Sequence, residues 1–442
     1  MKDLTHGKPL TVIVKFMIPI LIGNLFQLFY SLVDTRIVGS TLGDNALAAV
    51  GATTTLNSLI VGFLIGLTNG FAVIASQNFG AGNKEKVRHT LGMALVLGIT
   101  ISAVLTAFCA GGLKYILGWL NMPQEHFEEG YAYIRVILLG MTASMLYNIC
   151  ASVLRAIGDT VTPLCFLIFS TILNIFLDYF FILGLKMGVG GAAYATVISQ
   201  AAAFVLCAAY MYKRYDFLRL GKNDFVPDAE MIKKMLASGM SMGFMQSLVS
   251  LGTVSLQSAI NTFGTNTIVA HTAARKITEL FMLPFAVFGM TMTTYCGQNL
   301  GAGRIDRIKQ GIKTALYITW GWCVLVIIAS YTIAPVLIKL VTATKEQEII
   351  ETAVLYLRVD TLLYFVTAVI TVFRNSLQGL GDVVIPVISS SIELAGKILV
   401  VIFLTPLLGY WGIIIAEPIV WVLMVIPLII RMKTISFLQQ EV

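Results

Sequence analysis

Charge is scarce in this chain. Only 12% of its 442 residues are charged, about half the roughly 25% of an average soluble domain. Hydrophobic residues make up 57%, and mean hydropathy is +0.85. This excludes a disordered chain, which lacks apolar material. It also excludes an ordinary globular enzyme, which would have to expose long apolar helices to water. Cysteines are few and stand singly (Cys109, Cys150, Cys165, Cys207, Cys296, Cys323), with no CxxC pair. They read as small packing residues rather than a disulfide framework or a metal site. The four histidines are scattered without an HExxH spacing, so no metal centre or other cofactor is expected. Residues 1–15 lack the apolar core and small-residue cleavage site of a removable signal peptide, so the apolar run from about Val12 is expected to be a retained first helix.

What is present is a succession of apolar runs, each long enough for the ~20 residues of a membrane span. They predict an all-α polytopic membrane protein of twelve transmembrane helices, the first near 12–38 and the last near 411–432. The net charge of +7 sits between the runs, as in Lys84, Lys86, Arg88 and again in Arg304, Arg307, Lys309. That is the pattern of topology signals, with no aromatic interleaving of the nucleic-acid kind. The bias predicts a multi-pass membrane protein with both termini cytoplasmic and lipid as its surroundings.

An internal repeat organises the chain. Gln77-Asn78-Phe79-Gly80-Ala81-Gly82 returns 221 residues later as Gln298-Asn299-Leu300-Gly301-Ala302-Gly303. Leu154-x3-Gly158-Asp159-x3-Pro163 returns 223 residues later as Leu377-x3-Gly381-Asp382-x3-Pro386, and Tyr133-Ile134-Arg135-Val136 returns as Tyr356-Leu357-Arg358-Val359. The polar stretch 214–230 separates the copies, giving an N-lobe at 1–222 and a C-lobe at 223–442. Six helices per copy is an even number, so both copies insert with the same orientation. The expected architecture is two pseudo-symmetric six-helix lobes around a central cavity, able to open to either side.

Acids inside apolar runs are costly and are functional candidates by default. Asp34 lies late in the first helix, with Pro19 fifteen residues earlier as a bending point. Asn174 and Asp178 are spaced i,i+4 and share one helix face. Thr196 and Tyr133 are weaker candidates, since threonine often bonds its own helix and tyrosine anchors at interfaces. In the second copy the position of Asp34 is Ser255. Glu393 and Lys397 are spaced i,i+4 and read as a neutralising pair. Glu417 precedes Pro418 and is a candidate cavity residue that would attract cations, Asp360 is expected to neutralise Arg358, and Glu279 to pair near Arg275 and Lys276.

Together these residues resemble the multidrug and toxic compound extrusion (MATE) family over essentially the full length. The likeness rests on Pro19, Asn24 and Val33-Asp34 in the first helix, the doubled Gln-Asn-x-Gly-Ala-Gly and Leu-x3-Gly-Asp-x3-Pro motifs, and Asn174-x3-Asp178 followed by Gly190-Gly191-Ala192-Ala193-x-Ala195-Thr196. The resemblance implies a secondary-active antiporter, not an enzyme. It would act as a monomer, exporting organic cations and other amphipathic compounds in exchange for H⁺ or Na⁺ by alternating access. By the pattern of the DinF-like branch, it implies ion coupling at Asp34, Tyr133, Asn174, Asp178 and Thr196, with helix bending near Pro19. The NorM-like branch has an acid in its seventh helix, where this chain reads Gly243-Phe244-Met245-Gln246-Ser247-Leu248. Glu393, Lys397 and Glu417 remain candidates for the substrate cavity. Three rival readings stay open: a flippase for a lipid-linked precursor, an intramembrane enzyme, and a channel. The first would want an arginine-rich cavity. The second would want a nucleophile–base pair that the sequence does not offer.

Overall fold

A computed structural model describes residues 3–119, 124–342 and 346–435. Helix dominates, and no strand occurs among the described residues. In chain order the helices are α1 (Pro9–Leu42), α2 (Asp44–Gly80), α3 (Lys84–Trp119), α4 (Gln124–Leu139), α5 (Met141–Ala156), α6 (Val161–Tyr179), α7 (Val189–Arg214), α8 (Ala229–Ile260), α9 (Thr265–Gly301), α10 (Ile305–Thr332), α11 (Ala334–Thr342), α12 (Gln347–Leu362), α13 (Tyr364–Gly379), α14 (Ile385–Leu399), α15 (Thr405–Leu408) and α16 (Tyr410–Thr434).

Among the described residues, nine stretches are long and apolar enough to cross a membrane. Two bent pairs, α4 with α5 (47°) and α12 with α13 (51°), pass the same test only when joined, and bring the number to eleven if each is one span. The twelfth expected span is α8. At 32 residues it is long enough but falls short in hydropathy, because Gly, Ser and Gln punctuate it. Large apolar side chains such as Phe108, Trp119, Leu340 and Leu407 lie at least three-quarters exposed, the surface a lipid solvent favours. The α4–α5 bend has a packing cause. A Cβ on Gly140 would meet Val197 Cγ2 at 2.1 Å, so only glycine lets α7 press into the corner.

The repeated motifs turn out to be helix punctuation. In each Leu-x3-Gly-Asp-x3-Pro break the glycine turns left-handed (φ +87° at both Gly158 and Gly381). The aspartate N–H closes back on the leucine carbonyl at 2.9 Å, from Asp159 to Leu154 and from Asp382 to Leu377. The same aspartate then caps the next helix. Asp159 Oδ1 accepts from Thr162 N at 3.0 Å, and Asp382 Oδ1 accepts from Val384 N and Ile385 N, both at 3.1 Å.

Packing divides the chain elsewhere than the repeat does. One compact unit (unit 1) contains Ile18–Gly243; the other (unit 2) contains Leu4–Met17 together with the chain from Phe244 onward. Helix α1 therefore changes unit between Met17 and Ile18, beside Pro19, and α8 changes unit between Gly243 and Phe244. Within unit 1, α2 and α8 approach backbone to backbone. A Cβ on Gly66 would fall 2.5 Å from Met242 O, and one on Gly70 would fall 2.4 Å from Gly239 Cα. This is the small-residue packing of membrane helices.

Both units bind the segment that leads into a repeat. In unit 2, Gln298 Oε1 accepts from Leu4 N at 3.0 Å. The buried Arg307 donates to Leu4 O (3.0 Å), Gly7 O (2.7 Å) and Asn299 Oδ1 (3.0 Å). In unit 1, Arg88 Nε donates to Asp224 Oδ1 at 2.8 Å and Gly221 N to Asp224 Oδ2 at 2.7 Å. Burial alone would push the Asp224 carboxyl up, but these two donors hold it below the ordinary carboxylate range.

Two outcomes follow. Arg307→Ala leaves Gly7 O without its donor, and charged hydrogen bonds of this kind contribute about 1.5–3 kcal/mol each. The purified variant should melt several degrees lower, with residues 4–17 open to protease; wild-type melting and an uncut chain would contradict this. Because the folded Asp224 carboxyl is depressed, its stabilisation is complete above the unfolded value of about 3.9 and is lost as pH falls through the folded value. Asp224→Asn should therefore lower the melting temperature at pH 7, with the gap from wild type closing on acidification below about pH 4.

Candidate functional site

In unit 1 four helices converge on one polar cluster. Helix α1 brings Tyr30 and Asp34, α4 brings Tyr133, α6 brings Asn174 and Asp178, and α7 brings Thr196. Asp178 (0% exposed) and Asn174 (1%) are buried, as is Tyr133, while Asp34, Tyr30 and Thr196 are half-buried. The carboxyls of Asp34 and Asp178 lie within hydrogen-bond reach of each other. An ionised carboxylate only accepts, so a hydrogen bond between the two would need one of them protonated. Among the described residues no donor reaches Asp34 Oδ1 or Asp178 Oδ1, and no lysine or arginine neutralises either acid.

Asn174 bridges the cluster. With its amide nitrogen turned inward it donates to Asp178 Oδ2 at 3.1 Å and to Tyr30 Oη at 2.7 Å, while its oxygen accepts from Thr196 N at 3.0 Å. In the opposite orientation its nitrogen faces Thr196 Oγ1 at 3.4 Å. Thr196 Oγ1 itself donates to Ala192 O of its own helix at 3.1 Å. Tyr133 faces the acid pair from α4. The five sequence candidates thus share one place. Tyr30 was not among them, although its spacing of one turn before Asp34 puts both on one face of α1. Below Asp178, α6 loosens into a π-helical turn, Phe180–Gly184, a feature that recurs at functional sites. Pro19 lies about 22 Å away along α1 from Asp34.

In unit 2 the charged residues form a closed chain. Arg275 Nη1 donates to both oxygens of Glu417 at 3.0 Å. Lys397 Nζ bridges Glu393 Oε1 (2.9 Å) and Glu417 Oε1 (3.3 Å), and Tyr356 Oη donates to Glu417 Oε2 at 3.3 Å. Glu417 is therefore saturated by the protein's own groups rather than open to cations. Asp360 does not pair with Arg358 as its sequence neighbourhood suggests. It is fully buried and accepts from Tyr364 Oη at 3.1 Å, while Arg358 stacks over Tyr331. Two residues along a helix are separated by about 200°, which turns these side chains apart. Glu279 pairs with Lys276 at 3.5 Å. No cluster of three or more potential metal ligands occurs among the described residues.

Known proteins are similar to this chain in sequence and fold. The probable multidrug resistance protein YoeA of Bacillus subtilis is 28% identical over 90% of this chain and 88% of its own length. The multidrug export protein MepA of Staphylococcus aureus is 24% identical over 91% and 89%. A MATE structure in the bent conformation superposes with a TM-score of 0.88 at 25% identity, covering 97% of both chains. One in the straight conformation gives 0.87 at 26%, covering 98% of both. The MatE family model matches twice, over residues 19–180 and 241–404, once in each repeat, and the chain belongs to that family.

Proposed function

We propose that this protein is a secondary-active exporter of organic cations and other amphipathic compounds, and that the Asp34–Asp178 pair carries the coupling H⁺ or Na⁺. The observation that carries the reading is a pair of carboxyls in mutual reach, deep in an apolar unit, with acceptor oxygens unmet and no cation beside them. Each intramembrane charge costs on the order of 2.5–3.5 kcal/mol, so the pair favours taking up a proton or a small cation. Relatives named for multidrug resistance and multidrug export support the substrate class.

The cycle follows from charge. Loaded, the pair is neutralised and has little attraction for a cationic substrate. Emptied toward the cytoplasm, it attracts one. Ion and substrate then compete, and their coupling is reciprocal. Asp34 rides on α1, so its loading can be felt at Pro19, where that helix changes unit; relatives solved in bent and straight conformations support such a switch. The lobes 1–222 and 223–442 would alternate access, in a monomer of the cytoplasmic membrane with both termini inside. A flippase for an anionic lipid-linked precursor is disfavoured, because Arg275 and Lys397 are already engaged by Glu417 and Glu393.

Proteoliposomes loaded with a fluorescent organic cation, with pH and Na⁺ gradients imposed separately, test this. Asp34→Asn and Asp178→Asn should each slow gradient-driven transport by at least about tenfold, equivalent to 1.4 kcal/mol. Undiminished transport in both would overturn the assignment. Tyr30→Phe removes one hydrogen-bonding hydroxyl, worth about 1 kcal/mol. It should slow the same assay several-fold without changing which gradient drives it; a wild-type rate would remove Tyr30 from the site.

A further inference from the structure

We propose that unit 2 carries the repeat counterpart of the unit 1 cluster, a cation site permanently filled by the ammonium of Lys397, so that the coupling ion is taken at unit 1 alone. The inference rests on reading the Asp34–Asp178 cluster as the ion site.

The repeat makes the correspondence residue by residue. The Pro163/Pro386 register carries Ser170 onto Glu393, Asn174 onto Lys397 and Asp178 onto Val401; Tyr133 falls on Tyr356. The left-handed glycines that open α7 and α16, Gly188 (φ +62°) and Gly409 (φ +58°), set the register that carries Thr196 onto Glu417. Both α6 and α14 end in a five-residue π-helical turn, Phe180–Gly184 and Val400–Leu404. The scaffold is duplicated, and the chemistry on it is exchanged.

In unit 1 that scaffold holds two carboxyls and no fixed cation. In unit 2 the two aspartate positions are Ser255 and Val401, while two new carboxylates stand on the counterparts of α6 (Glu393, on α14) and of α7 (Glu417, on α16). Between them, at the place of Asn174, is Lys397, 2% exposed, with Nζ 2.9 Å from Glu393 and 3.3 Å from Glu417. An ammonium between two carboxylates is what a bound cation would be, except that it is tethered. Arg275 neutralises the second acid. The third buried acid, Asp360, takes its hydrogen bond from Tyr364.

Room has been made for the lysine stem. A Cβ on Gly252 would lie 3.0 Å from Lys397 Cδ. The counterpart of Gly252 in unit 1 is Ser31, on the helix that carries Asp34. Where unit 1 has a side chain on its first helix, unit 2 has the methylenes of Lys397. A charge fixed in place cannot exchange with solvent, so the electrostatics of unit 2 stay constant while those of unit 1 alternate.

Chemical rescue in the purified full-length protein tests this, read as thermal stability and not as transport. All arms carry Asp34→Asn and Asp178→Asn, so that unit 1 contributes no ion response. Lys397→Ala should melt well below this background, and propylammonium, which replaces the deleted stem and its ammonium, should restore several degrees saturably. Propylammonium should not raise the background protein itself, nor Lys397→Ala combined with Glu417→Gln. Lys397→Gln, which keeps the volume, should gain a melting temperature that rises with Na⁺ against N-methylglucamine at equal ionic strength. It answers the question should the alanine variant not fold. Absence of both the amine rescue and the Na⁺ gain would overturn the proposal. The unit 1 reading fails separately, if undamaged transport persists in Asp34→Asn and Asp178→Asn.

Discussion

Two carboxyls within reach of one another, in an apolar bundle that offers them no counter-charge, are the constraint on which the rest depends. Neither acid can be ionised freely there, and neither can bond the other without a proton. On the proposed reading, a proton or small cation held between or beside the pair removes the cost of that buried charge. The surrounding residues make this possible. Asn174 gives a donor to Asp178 and to the Tyr30 hydroxyl, and is held from α7 at Thr196. A Cβ on Gly191 would crowd Phe181 Cβ at 3.1 Å, so the glycine at the start of α7 keeps that helix close to the α6 end that carries the acid.

One member of the pair, Asp34, sits on a helix that belongs to both units. Tyr30 and Asp34 lie in the unit 1 part of α1, while its first turns belong to unit 2 and are preceded by the Leu4–Gly7 segment held by Arg307 and Gln298. Pro19 removes a backbone hydrogen bond just where the change occurs. Helix α8 is built the same way, with Gly239 and Gly243 packed on α2 at its own change of unit. A change of charge at Asp34 therefore acts on a helix that is anchored at one end, weakened in the middle and titratable at the other. In unit 2, by contrast, Arg275, Lys397, Glu393 and Glu417 satisfy one another, which gives that half a fixed charge.

Much of this was legible in the sequence because it is local or periodic. Asn174 and Asp178 announce a shared face by their i,i+4 spacing, Glu393 and Lys397 announce their pairing the same way, and the doubled glycine motifs give the repeat. The number of membrane-crossing helices was roughly legible from the apolar runs, with α8 the least obvious because small polar residues dilute it. What was not legible joins distant parts of the chain. Arg275 and Glu417 are 142 residues apart and Arg307 and Leu4 are 303 apart, and no periodicity links them. Asp360 was misread for the opposite reason, since nearness to Arg358 in sequence says nothing of direction around a helix. Tyr30 was within reach of the spacing argument, but a tyrosine in an apolar run is indistinguishable there from a packing residue.

The central claim is that substrate and coupling ion compete for the Asp34–Asp178 pair. The most direct measurement is of ion release when substrate binds to the purified protein at equilibrium. Tetraphenylphosphonium added to protein in a weakly buffered micelle solution should expel protons, or ²²Na⁺ from protein equilibrated with it, in proportion to the ligand bound. Binding of the cation with neither ion released would contradict the account.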